Sequence, residues 1–194
     1  MISNLRVLEI FKEAGVLLEG HFLLTSGRHS GKYLQCARIF RHVKYSEELC
    51  GALAAQYADD AIDLVIGPAM GAVQMAYEVS RGLRCENFFA EREDGKMTLR
   101  RGFSIEPGRR VLIVEDVVTT GGSVKEVMDI VRSQGGVVAG VGAIVDRTGG
   151  EIDFGVPFLS VISMKVDSWA AESCPICKTG EPLVKPGSRK LPTK

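Results

Sequence analysis

Two spacings alternate along this chain. Across residues 4–14, Leu5, Leu8 and Phe11 recur at three-residue steps and Gly15 follows, which predicts a short helix with one apolar face. Residues 22–24 and 33–37 read as strands around a polar turn at 25–32. A second helix is predicted over 45–57 and a short buried strand over 64–66, ending in Gly67-Pro68. A third helix follows over 72–81, and Phe88-Phe89 opens another strand. The apolar run 111–114 has the length and branching of a central parallel strand covered on both faces. Val124, Val127, Met128 and Val131 repeat with helical period behind it, and 137–145 and 158–164 supply two last strands. Alternating strands and helices imply a mainly parallel sheet flanked by helices. Residues 91–108 fit neither period; charged and glycine-containing, they form either a mobile functional loop or a solvated hairpin.

The remaining composition narrows the class. At 194 residues, 45% hydrophobic and 25% charged, the chain suits one domain with a small appendage. Its 24 basic and 24 acidic residues cancel, so no overall field favours nucleic acid or an anionic membrane, and neither is expected as a partner. No apolar run approaches the ~20 residues of a membrane span, and residues 1–20 carry acids where a signal peptide needs an apolar core. A cytoplasmic location is expected. Cysteines at 36, 50, 85, 174 and 177 lack a framework spacing, which fits a reducing compartment; Cys36, Cys50 and Cys85 read as core thiols. Cys174-Pro175-Ile176-Cys177 has knuckle spacing but supplies two ligands where structural zinc takes four. His21, His29 and His42 lie far off in sequence, so two solvent-side thiols tucked against a partner are expected instead of a metal site. Residues 185–190 read as a loose basic terminus.

The chemistry concentrates in residues 111–123. Glu115 and Asp116 arrive together at the carboxyl end of the central strand, where open α/β sheets place ligands. Thr119, Thr120, Gly121, Gly122 and Ser123 follow and lead into a helix. The glycines let backbone N–H groups close on an anion, the hydroxyls add donors, and the helix start adds roughly half a positive charge. The Gly-Lys-Ser/Thr ending of a P-loop is absent. The two acids would repel a phosphate, but they accept hydrogen bonds from vicinal hydroxyls and suit a hydrated Mg²⁺. A ribose 5-phosphate fits both halves.

This segment resembles the binding motif for 5-phosphoribosyl 1-diphosphate (PRPP) of type I phosphoribosyltransferases, and residues 5–165 are similar in order of parts to the orotate phosphoribosyltransferases. The resemblance implies their α/β fold, with a small N-terminal hood from about residues 1–40 and the C-terminal part. It places the phosphoribosyltransferase domain at 1–166 and a Cys-x-x-Cys extension at 167–194. It implies PRPP contacts from Glu115, Asp116, Val117, Val118, Thr119, Thr120, Gly121, Gly122 and Ser123, and a pyrophosphate loop at Ala69, Met70 and Gly71. Orotate contacts fall to Thr119, Arg147, Ser26 and Gly27; Arg147 follows Asp146 as in the family's Asp-Arg pair. Residues 91–102 match the family's catalytic loop, which closes over the neighbouring subunit's site and implies a homodimer. Lys96 and Arg92 are its cations, with Glu115 and Asp116 completing the catalytic set. Mg²⁺ is the implied cofactor, held mainly by substrate oxygens and water, with no dedicated protein metal site. The chain departs from the pattern at Thr25, where many members have Lys; at Tyr33-Leu34, where many have Phe; and in lacking a His after Lys96. A purine phosphoribosyltransferase and a PRPP-sensing regulator on the same fold are the competing readings.

Overall fold

The computed structural model describes residues 2–24 and 26–186. Thr25 and most of the basic terminus lie outside the described residues. Helix α1 spans Asn4–Glu13, capped by Ser3, whose side chain accepts from the Arg6 N–H. Strands β1, Leu17–Leu23, and β2, His29–Leu34, form an antiparallel hairpin. Helices α2, Ala37–Phe40, and α3, Val43–Ala54, precede strand β3, Leu64–Pro68, and helix α4, Val73–Leu83. Strands β4, Glu86–Glu93, and β5, Lys96–Thr98, lead to β6, Arg110–Val118; then come α5, Gly122–Ser133, β7, Val137–Asp146, and β8, Phe158–Ser163.

Six strands form one sheet in the order β5-β4-β3-β6-β7-β8, parallel throughout except for the β4–β5 hairpin at its edge. Side chains alternate between its faces, because the period of a strand is two. Val65, Leu112, Val114 and Ile144 pack with α1, α3 and α4 in one core. Leu64, Ile66, Val111 and Ile113 pack with Val124, Val127, Met128 and Val131 of α5 in the other. Each such fully buried side chain stabilises the fold by about 1.5–3 kcal/mol relative to exposure.

Connectivity decides where a ligand fits. From β3 the chain passes through α4 to β4 on one side; from β6 it passes through α5 to β7 on the other. Strand order therefore reverses between the adjacent β3 and β6, and the loops leaving their carboxyl ends diverge to leave a crevice.

One expectation changes, and one of two alternatives is met. Residues 29–32 belong to β2, because β1 pairs along one edge and, on the other, His29 exchanges N–H to O bonds of 2.8 Å with Trp169. Residues 91–98 are a hairpin. Glu93 pairs with Lys96 around Asp94 (φ 49°) and Gly95 (φ 83°), and two positive φ values make the two-residue turn whose twist suits a hairpin.

Candidate active site

A cleft of about 510 Å³ opens at the carboxyl ends of β6 and β7, lined by Glu115 through Val124, by Arg147, and by Leu24, Ser26, Tyr33, Gln35, Cys36, Val166 and Ser168. Its floor is the end of β6. Asp116 is half-buried there, with one carboxylate oxygen accepting the Val117 N–H at 2.9 Å. Burial raises its pKa above the ordinary carboxylate value, although the Val117 N–H and the neighbouring Glu115 pull the other way. A proton-free Asp116 is thus held at some cost, ready for a partner that offers donors or positive charge.

The β6–α5 loop forms the anion end. Gly121 takes φ +68° and caps α5 without any side chain, and no acidic residue lies in the helix's first turn. The first-turn N–H groups of a helix have no intrahelical acceptors, so they suit an anion. A Cβ on Gly121 would sit 2.3 Å from the Ile152 Cδ1 and 2.8 Å from the Phe154 ring, so both the turn and the packing require glycine. Thr119 and Thr120 are exposed at the cleft, and Ser123 is half-buried beside them.

The opposite wall carries the cation. Asp146 ends β7 buried, and its carboxylate accepts the Thr148 N–H at 2.7 Å and the Ser163 hydroxyl at 3.5 Å. The Arg147 N–H donates to the Val118 carbonyl at 2.9 Å, which fixes this backbone to β6. The Arg147 Nε is buried with no hydrogen-bond partner, and burial lowers the guanidinium pKa. A buried donor left unsatisfied costs about 1–3 kcal/mol, which a ligand acceptor would offset. Tyr33 and Cys36 stand nearby: burial raises both pKa values, with the Asp116 charge adding and the Arg147 charge opposing.

The structure does not gather every predicted residue here. Ser26 lines the cleft; Gly27, whose N–H closes the hairpin turn onto the Leu24 carbonyl at 2.9 Å, does not. Ala69, Met70 and Gly71 follow β3 and are not among the residues lining the cleft. A Cβ on Gly71 would stand 3.0 Å from an Asp116 carboxylate oxygen, so this loop runs directly against the motif acid. Lys96 and Arg92 lie instead by a separate shallow groove against α5. Arg92 pairs with Glu126 and the Gly95 carbonyl, each at 2.6 Å, whereas Lys96 has no ion pair among the described residues. Arg100 pairs with Glu93 and Arg101 with Glu91. Within one chain these loop cations do not reach the cleft.

Sequence reasoning passed over Val166 and Ser168, which wall the cleft, and it set the histidines aside as unconnected to the Cys-x-x-Cys pair. His21 and His29 stand beside Cys174 and Cys177 through long-range pairing that no local spacing announces, while His42 stays apart, ringed against Tyr45. Cys174 is buried, not solvent-facing, and Cys177 is exposed. The expected core burial of Cys36 and Cys50 is observed, and Cys85 is half-buried.

The family model described as a phosphoribosyl transferase domain matches residues 40–172. An orotate phosphoribosyltransferase of Pelotomaculum thermopropionicum is 58% identical over 185 residues, 95% of this chain and 97% of that protein. The chain belongs to the orotate phosphoribosyltransferase family. Another member, from Caldanaerobacter subterraneus subsp. tengcongensis, is 59% identical over 186 residues, 96% of this chain and 98% of its own. The fold agrees: the crystal structure of the family's member from Aeropyrum pernix aligns with a TM-score of 0.71 at 27% identity, covering 81% of this chain and 93% of that one. The type I phosphoribosyltransferase architecture expected from the motif is therefore the fold of this chain. Among the described residues no helix is long and apolar enough to cross a membrane.

Proposed function

We propose that this chain transfers the 5-phosphoribosyl group of PRPP to N1 of orotate, giving orotidine 5′-monophosphate and pyrophosphate, in the cytoplasm. The observation that carries the reading is the unpartnered, buried Arg147 Nε on the wall of a cleft whose other end is an anion-binding helix start. Orotate brings the carboxylate that a planar guanidinium fork matches, and a neutral purine does not. Thr119 and Ser26, with Gly27 holding the hairpin tip, flank the same space.

The 5′-phosphate lies against the loop Thr119, Thr120, Gly121, Gly122 and Ser123, with Val117 and Val118 setting its backbone. Glu115 and Asp116 accept from the ribose hydroxyls, and Asp116 gains stabilisation as the ribosyl ring becomes cationic. The Ala69-Met70-Gly71 loop abuts Asp116 and takes the diphosphate. Carboxylates at the cleft floor fit a hard, hydrated cation, and Mg²⁺ bound with PRPP, held mainly by substrate oxygens and water, would neutralise diphosphate charge. Orotate is anionic and needs little general-base help, so no catalytic base is assigned.

Lys96 and Arg92 serve the departing pyrophosphate of a neighbouring subunit's site in a homodimer. Their separation from their own cleft supports this arrangement, as do two exposed large apolar side chains, Met70 after β3 and Tyr77 on α4. We assign the transferase domain to 1–166 and the extension to 167–194.

Incubation with PRPP, Mg²⁺ and orotate, with adenine and hypoxanthine in parallel, tests the reading. Orotate loss dependent on PRPP and Mg²⁺ is expected. Nucleotide formed only from a purine would move the assignment to that branch, and PRPP binding without turnover of any base would make the chain a regulator.

A further inference from the structure

The tail returns to the N-terminal hairpin, and there four ligand-type side chains converge. The Leu23 N–H donates to the Val184 carbonyl, the Val184 N–H donates to the His21 carbonyl, and His29 pairs with Trp169, all at 2.8 Å. Enclosed between these strands, His21, His29, Cys174 and Cys177 place one nitrogen or sulfur each within 4.8 Å of one another. We propose that these four residues bind one zinc ion as a structural site.

The distances fit tetrahedral coordination. With Zn–S of about 2.3 Å and Zn–N of about 2.0–2.1 Å, tetrahedral ligands lie about 3.6 Å apart for N and S and about 3.3 Å for two nitrogens. Cys174 Sγ and Cys177 Sγ are 3.5 and 3.6 Å from His21 Nε2, Cys177 Sγ is 3.2 Å from His29 Nδ1, and the two ring nitrogens are 3.0 Å apart.

The tautomer of His21 adds a second, independent argument. Its Nδ1 lies 2.9 Å from the Glu181 carbonyl, which only accepts, so Nδ1 carries a hydrogen and Nε2 is the nitrogen turned inward. Three partners crowd that one nitrogen, and a ring nitrogen makes one hydrogen bond, whether it gives or accepts. A cation at the centre accounts for all three contacts together. A carbonyl behind a ligating histidine is also the usual way the ring is aimed at a metal. His21, His29 and Cys174 are 3%, 6% and 1% exposed, and four protein ligands leave no open position, which makes the site structural instead of catalytic.

The consequence reaches the active site. The ligated hairpin carries Leu24 and Ser26, and the tail carries Val166 and Ser168; all four wall the substrate cleft. The Arg28 guanidinium holds the Ser168 hydroxyl at 2.9 Å and its carbonyl at 2.5 Å across the same junction. Zinc would pin the two segments that wall the cleft, at a junction whose strand pairing consists of the isolated bridges Phe22 to Val184 and His29 to Trp169 among the described residues.

Elemental analysis of the full-length wild-type protein, purified under reducing conditions without chelator, tests this directly. One zinc per chain is expected, with the visible absorption of tetrahedral thiolate–cobalt after exchange with Co²⁺. The Cys174→Ser/Cys177→Ser variant should lose both signals. Wild-type protein that neither carries zinc nor takes up Zn²⁺ or Co²⁺ would overturn the proposal, as would a Cys174–Cys177 disulfide in it or full metal retention by the double variant. Because the wild-type readout is metal content, its outcome does not depend on which base the enzyme uses or on whether the variant folds.

Discussion

Arg147→Met isolates the group on which the substrate assignment rests. Methionine keeps much of the arginine stem's packing but removes the fork. Two charge-assisted bonds to a carboxylate contribute about 1.5–3 kcal/mol each, so losing the pair costs at least ~3 kcal/mol of orotate binding. At about 1.4 kcal/mol per decade, that raises the KM for orotate by about 10²-fold. The free protein should respond in the opposite sense, since Arg147 is half-buried, its Nε is buried and unpartnered, and burial disfavours its charge. Met removes that cost, so the Tm should hold or rise. Initial rates of orotate loss, followed by absorbance at varied orotate with saturating PRPP and then the reverse, separate the two KM values. The KM for PRPP should stay within about 3-fold, because uniform binding of the other substrate is untouched. An unchanged KM for orotate, or a KM for PRPP rising in step with it, would refute the reasoning.

Asp116→Asn should lower kcat by about 10²-fold or more, because it removes charge facing the developing ribosyl cation. It should also raise the Tm at neutral pH. The folded pKa of Asp116 is raised, so as pH climbs past the ordinary carboxylate value the unfolded chain releases this proton first and the native state is disfavoured. That penalty vanishes as pH falls, so wild type and variant should converge in Tm towards acid; a variant less stable at neutral pH would contradict the sign. Gly121→Ala forces a left-handed alanine, costing about 1–2 kcal/mol before its 2.3 Å clash with Ile152 is relieved, and should weaken PRPP binding in a calorimetric titration. Lys96→Ala should lower kcat by about 10²-fold with little change in PRPP affinity. Mixing Lys96→Ala with Asp116→Asn subunits should restore activity, since a mixed dimer holds one intact composite site; no restoration would place Lys96 outside a shared site.

Strong periods made the sheet and its flanking helices readable, because two covered faces demand runs such as Val111-Leu112-Ile113-Val114, and α5 must offer a stripe to one of them. The motif acids and glycines were readable for the same reason: they begin where that run stops. The β4–β5 hairpin was signalled too, by Asp94-Gly95 between strand-like residues, the pair that tolerates two positive φ values. Charge density around it hid the signal. The polar first half of β2 was misread because one of its two neighbours is remote: His29 pairs with Trp169, and the Ser30 Oγ donates to the Asp167 carbonyl at 2.7 Å across 137 positions. The His–Cys cluster joins ligands 148 to 156 residues apart, and no local spacing reports such a contact.

Asp116 and Arg147 share one cleft with opposite charges, yet no ion pair joins them among the described residues. The backbone explains why. Asp116 is fixed within β6, and Arg147 leaves the end of β7 on a turn that Asp146 ties down through Thr148. A direct pair would satisfy both groups and fill the space meant for the substrate. Held apart, each keeps a burial cost, and the ligands with complementary features are an acidic base for the guanidinium and a ribosyl cation for the carboxylate. A neutral base would leave Arg147 unsatisfied. On the proposed reading, preference for an anionic acceptor follows from this separation of Asp116 at the end of β6 from Arg147 after β7, with the hairpin and tail walling the space around them.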